Sequence, residues 1–175
     1  MPYKGLIMAI LISPMIVPLI ITAAGMFFFY ARINLVYTFT GVILAHVALA
    51  TPFVVITVTA TLVGFDMNMV KAAQSLGAKP MRTFFKVIMP LILPGIISGA
   101  LFAFITSFDE VVIVMFMASI DQLTIPKQMW AGIRQEISPV ILCMANCLVV
   151  LSIVLLTNVE LLRRRSEKLR GIKAR

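Results

Sequence analysis

Charge is the scarcest ingredient of this 175-residue sequence: 13% of its residues are Asp, Glu, Lys or Arg, against 61% that are hydrophobic. So few charges cannot cover a water-soluble globule, so the composition excludes one and points to a chain built for lipid. Acids are rarer than bases, seven against fifteen, which leaves a formal charge of +8. Nucleic-acid binding is still not expected, because the basic residues flank apolar segments, the pattern of membrane anchoring and orientation. Cysteine occurs twice, at Cys143 and Cys147, one helical turn apart in an apolar run. Two thiols placed so make neither a disulfide framework nor a metal site, and packing is their expected role. The single histidine, His46, has no second metal ligand nearby and is expected to be a hydrogen-bonded packing residue. There is no Gly-x-x-x-x-Gly-Lys-Ser/Thr loop to cradle phosphates, so the chain is not expected to hydrolyse ATP itself. No His-Glu-x-x-His occurs, and the lone histidine lacks a serine and acid arrangement. No catalytic residue, metal or cofactor is therefore expected, and the chain does not read as an enzyme. The first apolar segment lacks a small-residue cleavage site, so no cleavable signal peptide is expected.

Long apolar runs are what the sequence has in abundance. Crossing roughly 30 Å of hydrocarbon takes about 20 helical residues, and the segments 5–30, 36–63, 91–117 and 137–162 are each long enough. The expected fold is all-α, a single polytopic transmembrane helical bundle of about four spans covering residues 1–175, with strands suggested nowhere. Pro14, Pro18, Pro52 and Pro94 would break soluble helices, but in a bundle neighbouring helices satisfy the freed backbone groups. Gly95, Ser98, Gly99 and Ala103 recur at three- and four-residue spacing, which permits close helix contact. With residues 64–90 and the tail 163–175 in the cytoplasm, twelve Lys and Arg lie inside and only Arg32, Lys127 and Arg134 outside. That balance obeys the positive-inside rule and places both ends in the cytoplasm. The basic tail is expected to contact anionic membrane lipid.

Residues 69–90 form the longest polar interval in the apolar chain. Asp66 or Asn68 suits the N-cap of a helix, and Gly77 the left-handed residue that ends one. Met69, Ala72, Ala73 and Leu76 fall at i, i+3, i+4 and i+7, on one face. Pro80 suits the first position of a second helix. There Met81, Phe84, Phe85 and Ile88 make an apolar face opposite Lys79, Arg82 and Lys86. The pattern predicts two short amphipathic helices joined by a glycine, lying outside the membrane between two spans as a docking element.

Ala72-Ala73, three residues, Gly77, nine residues, then Val87-Ile88-Met89-Pro90 resembles the cytoplasmic loop of ABC-importer permeases, Glu-Ala-Ala-x3-Gly-x9-Ile-x-Leu-Pro. Lys71 stands where that pattern has glutamate, and Val87 and Met89 replace its isoleucine and leucine conservatively. Ser107-Phe108-Asp109-Glu110-Val111-Val112, Leu123-Thr124-Ile125-Pro126 and Glu136-Ile137-Ser138-Pro139 resemble spermidine/putrescine-type permease subunits. The resemblance implies the membrane subunit of an importer in a prokaryotic inner membrane. Its implied partners are ABC ATPase subunits, a second permease subunit and an extracytoplasmic solute-binding protein. It also implies that Lys71, Ala72, Ala73, Gly77 and Pro90 belong to the loop that docks on the ATPase. Permeases of this type usually have six spans, and this chain corresponds to the last four. Whether a shortened form is competent for transport stays open, with a structural or assembly role as the alternative.

Asp109 and Glu110 interrupt an apolar stretch that resumes as Val-Val-Ile-Val-Met-Phe-Met. Charge inside an apolar helix is costly, at least about 2.5 kcal/mol near the centre of a span, and faces a cavity or a partner. One or both acids either line a path that attracts a cationic small-molecule substrate, Asp109 ahead of Glu110 because adjacent helical positions point about 100° apart, or cap a broken helix or pair with a basic residue of a partner subunit. Trp130 and Glu136 lie in the outer loop between the last two spans, where an aromatic face and a carboxylate suit an ammonium group; Trp130 also suits an interfacial anchor. A polyamine is the expected substrate, with ferric iron or another small solute as the alternative within the same type.

Overall fold

The computed structural model describes residues 3–135 and 139–169, and of residues 135, 159 and 162–169 it describes the backbone alone. Among the described residues the regular structure is helical, with no strand. The chain starts with α1 (Lys4–Ile16) and α2 (Leu19–Arg32), whose axes differ by 111°. Pro18 causes the break. A proline ring clashes with a helical residue before it, and Val17 and Pro18 are accordingly extended, with ψ of 137° and 133°. The segment expected as a single span over 5–30 thus holds two helices with a sharp bend between them. At 13 residues α1 is only about 20 Å long, too short to cross alone; the pair together makes a broken span or a re-entrant element.

Three helices among those described are long and apolar enough to cross a membrane. The first, α3 (Phe39–Val63), starts where Thr38 Oγ1 accepts a hydrogen bond from the Gly41 N–H at 3.0 Å. A three-residue gap follows, then the short α4 (Met67–Ser75). The second crossing helix is α5 (Pro80–Phe108) and the third is the apolar part, Pro139–Asn158, of α8 (Pro139–Leu169). Between them lie α6 (Val112–Met117) and the amphipathic α7 (Ile125–Gln135). The span expected over 91–117 therefore ends early: its helix stops at Phe108, and residues 112–117 form a separate element.

Close packing of α5 on α3 organises the bundle. Side chains added at Gly95 and Gly99 would run into Thr61 and Thr57 of α3, and a Cβ at Gly99 would also lie 3.0 Å from the Val54 backbone. Only glycine allows that approach, which is the contact anticipated for these small residues. The buried core sits towards the other end, where Ala23 of α2, Ala45 and Leu49 of α3, and Ile113 and Met117 of α6 meet. Hydrogen bonds stitch that end together. Tyr37 N–H donates to the Met117 carbonyl at 2.9 Å, Gln122 Nε2 to the Tyr37 carbonyl at 3.2 Å, and Lys127 Nζ to the Ser119 carbonyl at 3.1 Å. By contrast no residue in the apolar window of α8 is fully buried within the chain. Cys143 and Cys147 lie there and are exposed, so any packing they take part in is against lipid or another chain.

Candidate coupling loop and translocation site

The loop between α3 and α5 is built by local rules. Asp66 is the N-cap of α4, its Oδ1 accepting from the Asn68 N–H at 2.9 Å. At the other end Gly77 has φ of 77°. Its N–H donates to the Gln74 carbonyl at 2.9 Å, and the Ala78 N–H donates to the Ala73 carbonyl at 3.0 Å. Those are the two bonds of a complete Schellman motif, which needs a left-handed residue at the position Gly77 holds. Lys79 is extended, and Pro80 opens the next helix.

The second helix is not short. From Pro80 it runs through a π-helical turn, Phe84–Ile88, straight into the spanning part of α5. Pro90 gives the reason. A proline inside an α-helix lacks an N–H and pushes against the carbonyl four residues back. A wide turn just before it, closed by the Met89 N–H on the Phe84 carbonyl, shifts the ladder and lets the helix continue. Lys71, Ala72, Gly77 and Pro90 are exposed and Ala73 is half-buried. Leu76 and Met81 keep 88% and 72% of their surface, so the apolar faces expected here are only partly covered within the chain, at Ala73 and Ile88. The sequence reading passed over Thr83, which is buried and donates from Oγ1 to the Lys79 carbonyl at 3.2 Å.

At the far end of α5 the chain breaks over residues 109–111. Asp109 is the exposed C-cap of α5, whereas Glu110 is buried and its Oε1 accepts from the Ile113 N–H at 2.8 Å. Glu110 thereby holds the first turn of α6. The two acids also enter different spaces. Asp109 lines a cavity of about 510 Å³ with Trp130, between α5, α7 and α8. Glu110 lines another, of about 480 Å³, with His46 of α3, Ser107 of α5 and Thr124. The Arg134 guanidinium lies 5.9 Å from the centre of the Trp130 ring, so a cation already attends that aromatic face. Glu136, expected beside Trp130, lies outside the described residues. His46 Nδ1 and Ser107 Oγ are hydrogen-bonded at 2.9 Å, the polar contact expected of this histidine. Missed from the sequence was its place in one cavity with Glu110; the signal was Ser107, three residues before Glu110.

A capped loop fused to a spanning helix, in an all-helical apolar chain, defines a polytopic membrane protein with an exposed loop between two spans. The chain belongs to the family described as "Binding-protein-dependent transport system inner membrane component", whose profile matches residues 2–168. It is thus a multi-pass inner-membrane protein of a transport family. It is 29% identical over 163 residues to the spermidine/putrescine transport system permease protein PotC of Haemophilus influenzae, a match covering 93% of this chain and 62% of that protein. To the PotC protein of Escherichia coli strain K12 it is 29% identical over 165 residues, 94% of this chain and 61% of the relative. The putrescine transport system permease protein PotI of the same strain is 36% identical over 103 residues, 59% of this chain and 37% of PotI. The chain thus spans at most about 62% of the length of these relatives.

Proposed function

We propose that this chain is a membrane-spanning permease subunit of a binding-protein-dependent ABC importer that carries a polyamine or a closely similar organic cation. The observation that carries the proposal is the loop: a Schellman-closed turn at Gly77, followed from Pro80 by one helix that runs unbroken from the loop through the spanning part of α5. A partner seated on α4 and the start of α5 would push directly on a rod that reaches the 109–111 break. That is the mechanical link an ATPase subunit requires. Lys71, Ala72, Ala73 and Gly77 would make the docking face, with Pro90 where the rod enters the bundle. A second permease subunit and a solute-binding protein would complete the complex. The loop and the tail lie on one side, since α5 and α8 both cross between them, and the charge count puts that side in the cytoplasm. The N-terminal end joins them there when the bent α1–α2 pair crosses as one span.

The polyamine assignment is supported by the names of the relatives and by the two carboxylates at the end of the rod. The decisive experiment is ATP-dependent uptake of labelled putrescine and spermidine by the transporter reconstituted with its cognate ATPase, second permease and binding protein. Uptake that requires this chain supports the proposal. A complex that assembles and carries neither polyamine overturns the substrate, and a chain that captures no ATPase overturns the class. Unchanged uptake in the Asp109→Asn, Glu110→Gln double variant would remove the acids from the path.

A further inference from the structure

We infer that the cavity bounded by Glu110, His46, Ser107 and Thr124 is an ammonium-binding site for a linear aliphatic cation, and that Glu110, rather than Asp109, is its charged ligand. The inference rests on the transport reading above and deepens it by naming the site.

Glu110 keeps only 6% of its surface. It makes no ion pair among the described residues, and its one hydrogen bond, to the Ile113 N–H, occupies Oε1. A carboxylate buried in an apolar bundle without a countercharge is expensive, and a bound cation would relieve that cost. The surroundings suit one with an aliphatic body. The wall of this space of about 480 Å³ is apolar apart from a few side chains, chiefly His46, Ser107, Glu110 and Thr124. Few polar groups on an apolar wall is the composition of a small-ligand site. An ammonium group has three donors and needs acceptors; the carboxylate and the two hydroxyls supply them, while methylenes lie along the rest. Phe104 and Phe108, whose rings stack with centroids 5.3 Å apart, also line this wall, and aromatic faces attract cations. His46 holds Ser107 from across the α3–α5 contact, so the hydroxyl is a fixed part of the wall. Phe104 and Phe108 also border the cavity of Asp109, but Asp109 itself is exposed, and there Arg134 already attends the Trp130 ring.

The test uses the reconstituted transporter with Cys143→Ala and Cys147→Ala, into which Val47→Cys places one thiol on the apolar part of the cavity wall. A small cationic methanethiosulfonate reports on access to that thiol. Putrescine is expected to slow the labelling. Glu110→Gln keeps an amide oxygen for the Ile113 N–H, so α6 stays capped while the charge is lost. Protection should then need roughly tenfold or more putrescine, the worth of a charge-assisted hydrogen bond. Asp109→Asn should shift protection less than Glu110→Gln does. Ala50→Leu, which narrows the same cavity from α3 without touching either acid, should weaken protection as well and gives a second arm if Glu110→Gln assembles poorly. Polyamine uptake with an unprotected thiol at position 47 would overturn the site and leave the transport reading standing, as would protection indifferent to both Glu110→Gln and Ala50→Leu. No polyamine uptake by the unsubstituted transporter would overturn both.

Discussion

Replacing Gly77 separates backbone conformation from packing more cleanly than any other change in the loop. A Cβ built at Gly77 meets nothing within 4 Å, so a larger residue there clashes with no neighbour. What it meets is φ of 77°, a left-handed conformation that costs an L-residue about 1–2 kcal/mol. Asparagine tolerates that region better than alanine, and a β-branched residue tolerates it worst. Nothing offsets the strain, because α4 buries no residue within the chain. A segment with so little burial opens locally at small cost, so the whole penalty falls on the closed turn. One to two kcal/mol changes a two-state ratio by a factor of about 5–30. A partner that recognises only the closed turn loses apparent affinity in proportion as that form becomes the minor one. Affinity for the ATPase subunit should therefore fall in the order Gly, Asn, Ala, Val, while the membrane-inserted amount of the chain stays constant. Titrating the purified chain with the ATPase, alongside copurification yield, measures the order. Equal affinities across the series would refute the reasoning. Asparagine as damaging as valine would refute it differently, by showing that the partner reads side-chain bulk at this position and not the turn.

Three further expectations follow from the same geometry. Asp66→Ala removes the N-cap of α4, worth about 1 kcal/mol; it should weaken ATPase binding, and Asp66→Ser should restore most of the loss. Gly99→Ala drives a methyl group into Thr57 and the Val54 backbone, an overpacking cost of about 1–3 kcal/mol; thermal melting in detergent should register it, and a wild-type melting temperature would mean that α3 and α5 can separate freely. Lys71→Glu should be tolerated in uptake, because Lys71 is exposed and the turn depends on Ala73, Gln74 and Gly77; complete loss would show that the ATPase surface carries charge matched to lysine.

Local rules were legible and long-range ones were not, and the prolines show why. Pro18 breaks the first apolar segment, whereas Pro52 and Pro94 sit inside α3 and α5. The three residues look alike in the sequence. Pro52 is buried in the bundle, where neighbours hold the helix in line across its missing bond. No residue of α1 is buried within the chain, so nothing holds it in line with α2, and the preference of Val17 for extended backbone prevails. At Pro90 the expected loop ends and the expected span begins one residue later, whereas a single helix runs past it. The π-turn that carries the helix past Pro90 has no sequence mark as plain as a capping residue or a glycine. The loop itself was readable because its determinants are neighbours in sequence: Asp66 caps the residue two along, and Gly77 closes on Gln74.

The two acids stand at the limit of such reasoning. On a continuous helix, adjacent side chains diverge by about 100°, which says that Asp109 and Glu110 differ but not which faces inward. Here the helix stops at Phe108, so even that angle no longer applies. Their assignment is made by α6, which turns back to bury Ile113 and Met117 against α2 and α3. Once that turn is made, the free N–H groups at its start need an acceptor, and Glu110, three residues before Ile113, is placed to supply one. The carboxylate is drawn inside by a backbone requirement and, once inside, is left without a countercharge among the described residues. A structural cap and a cation site are therefore not competing explanations of Glu110. The cap places a negative charge in an apolar cavity, and the unpaired charge is what a cation would find there.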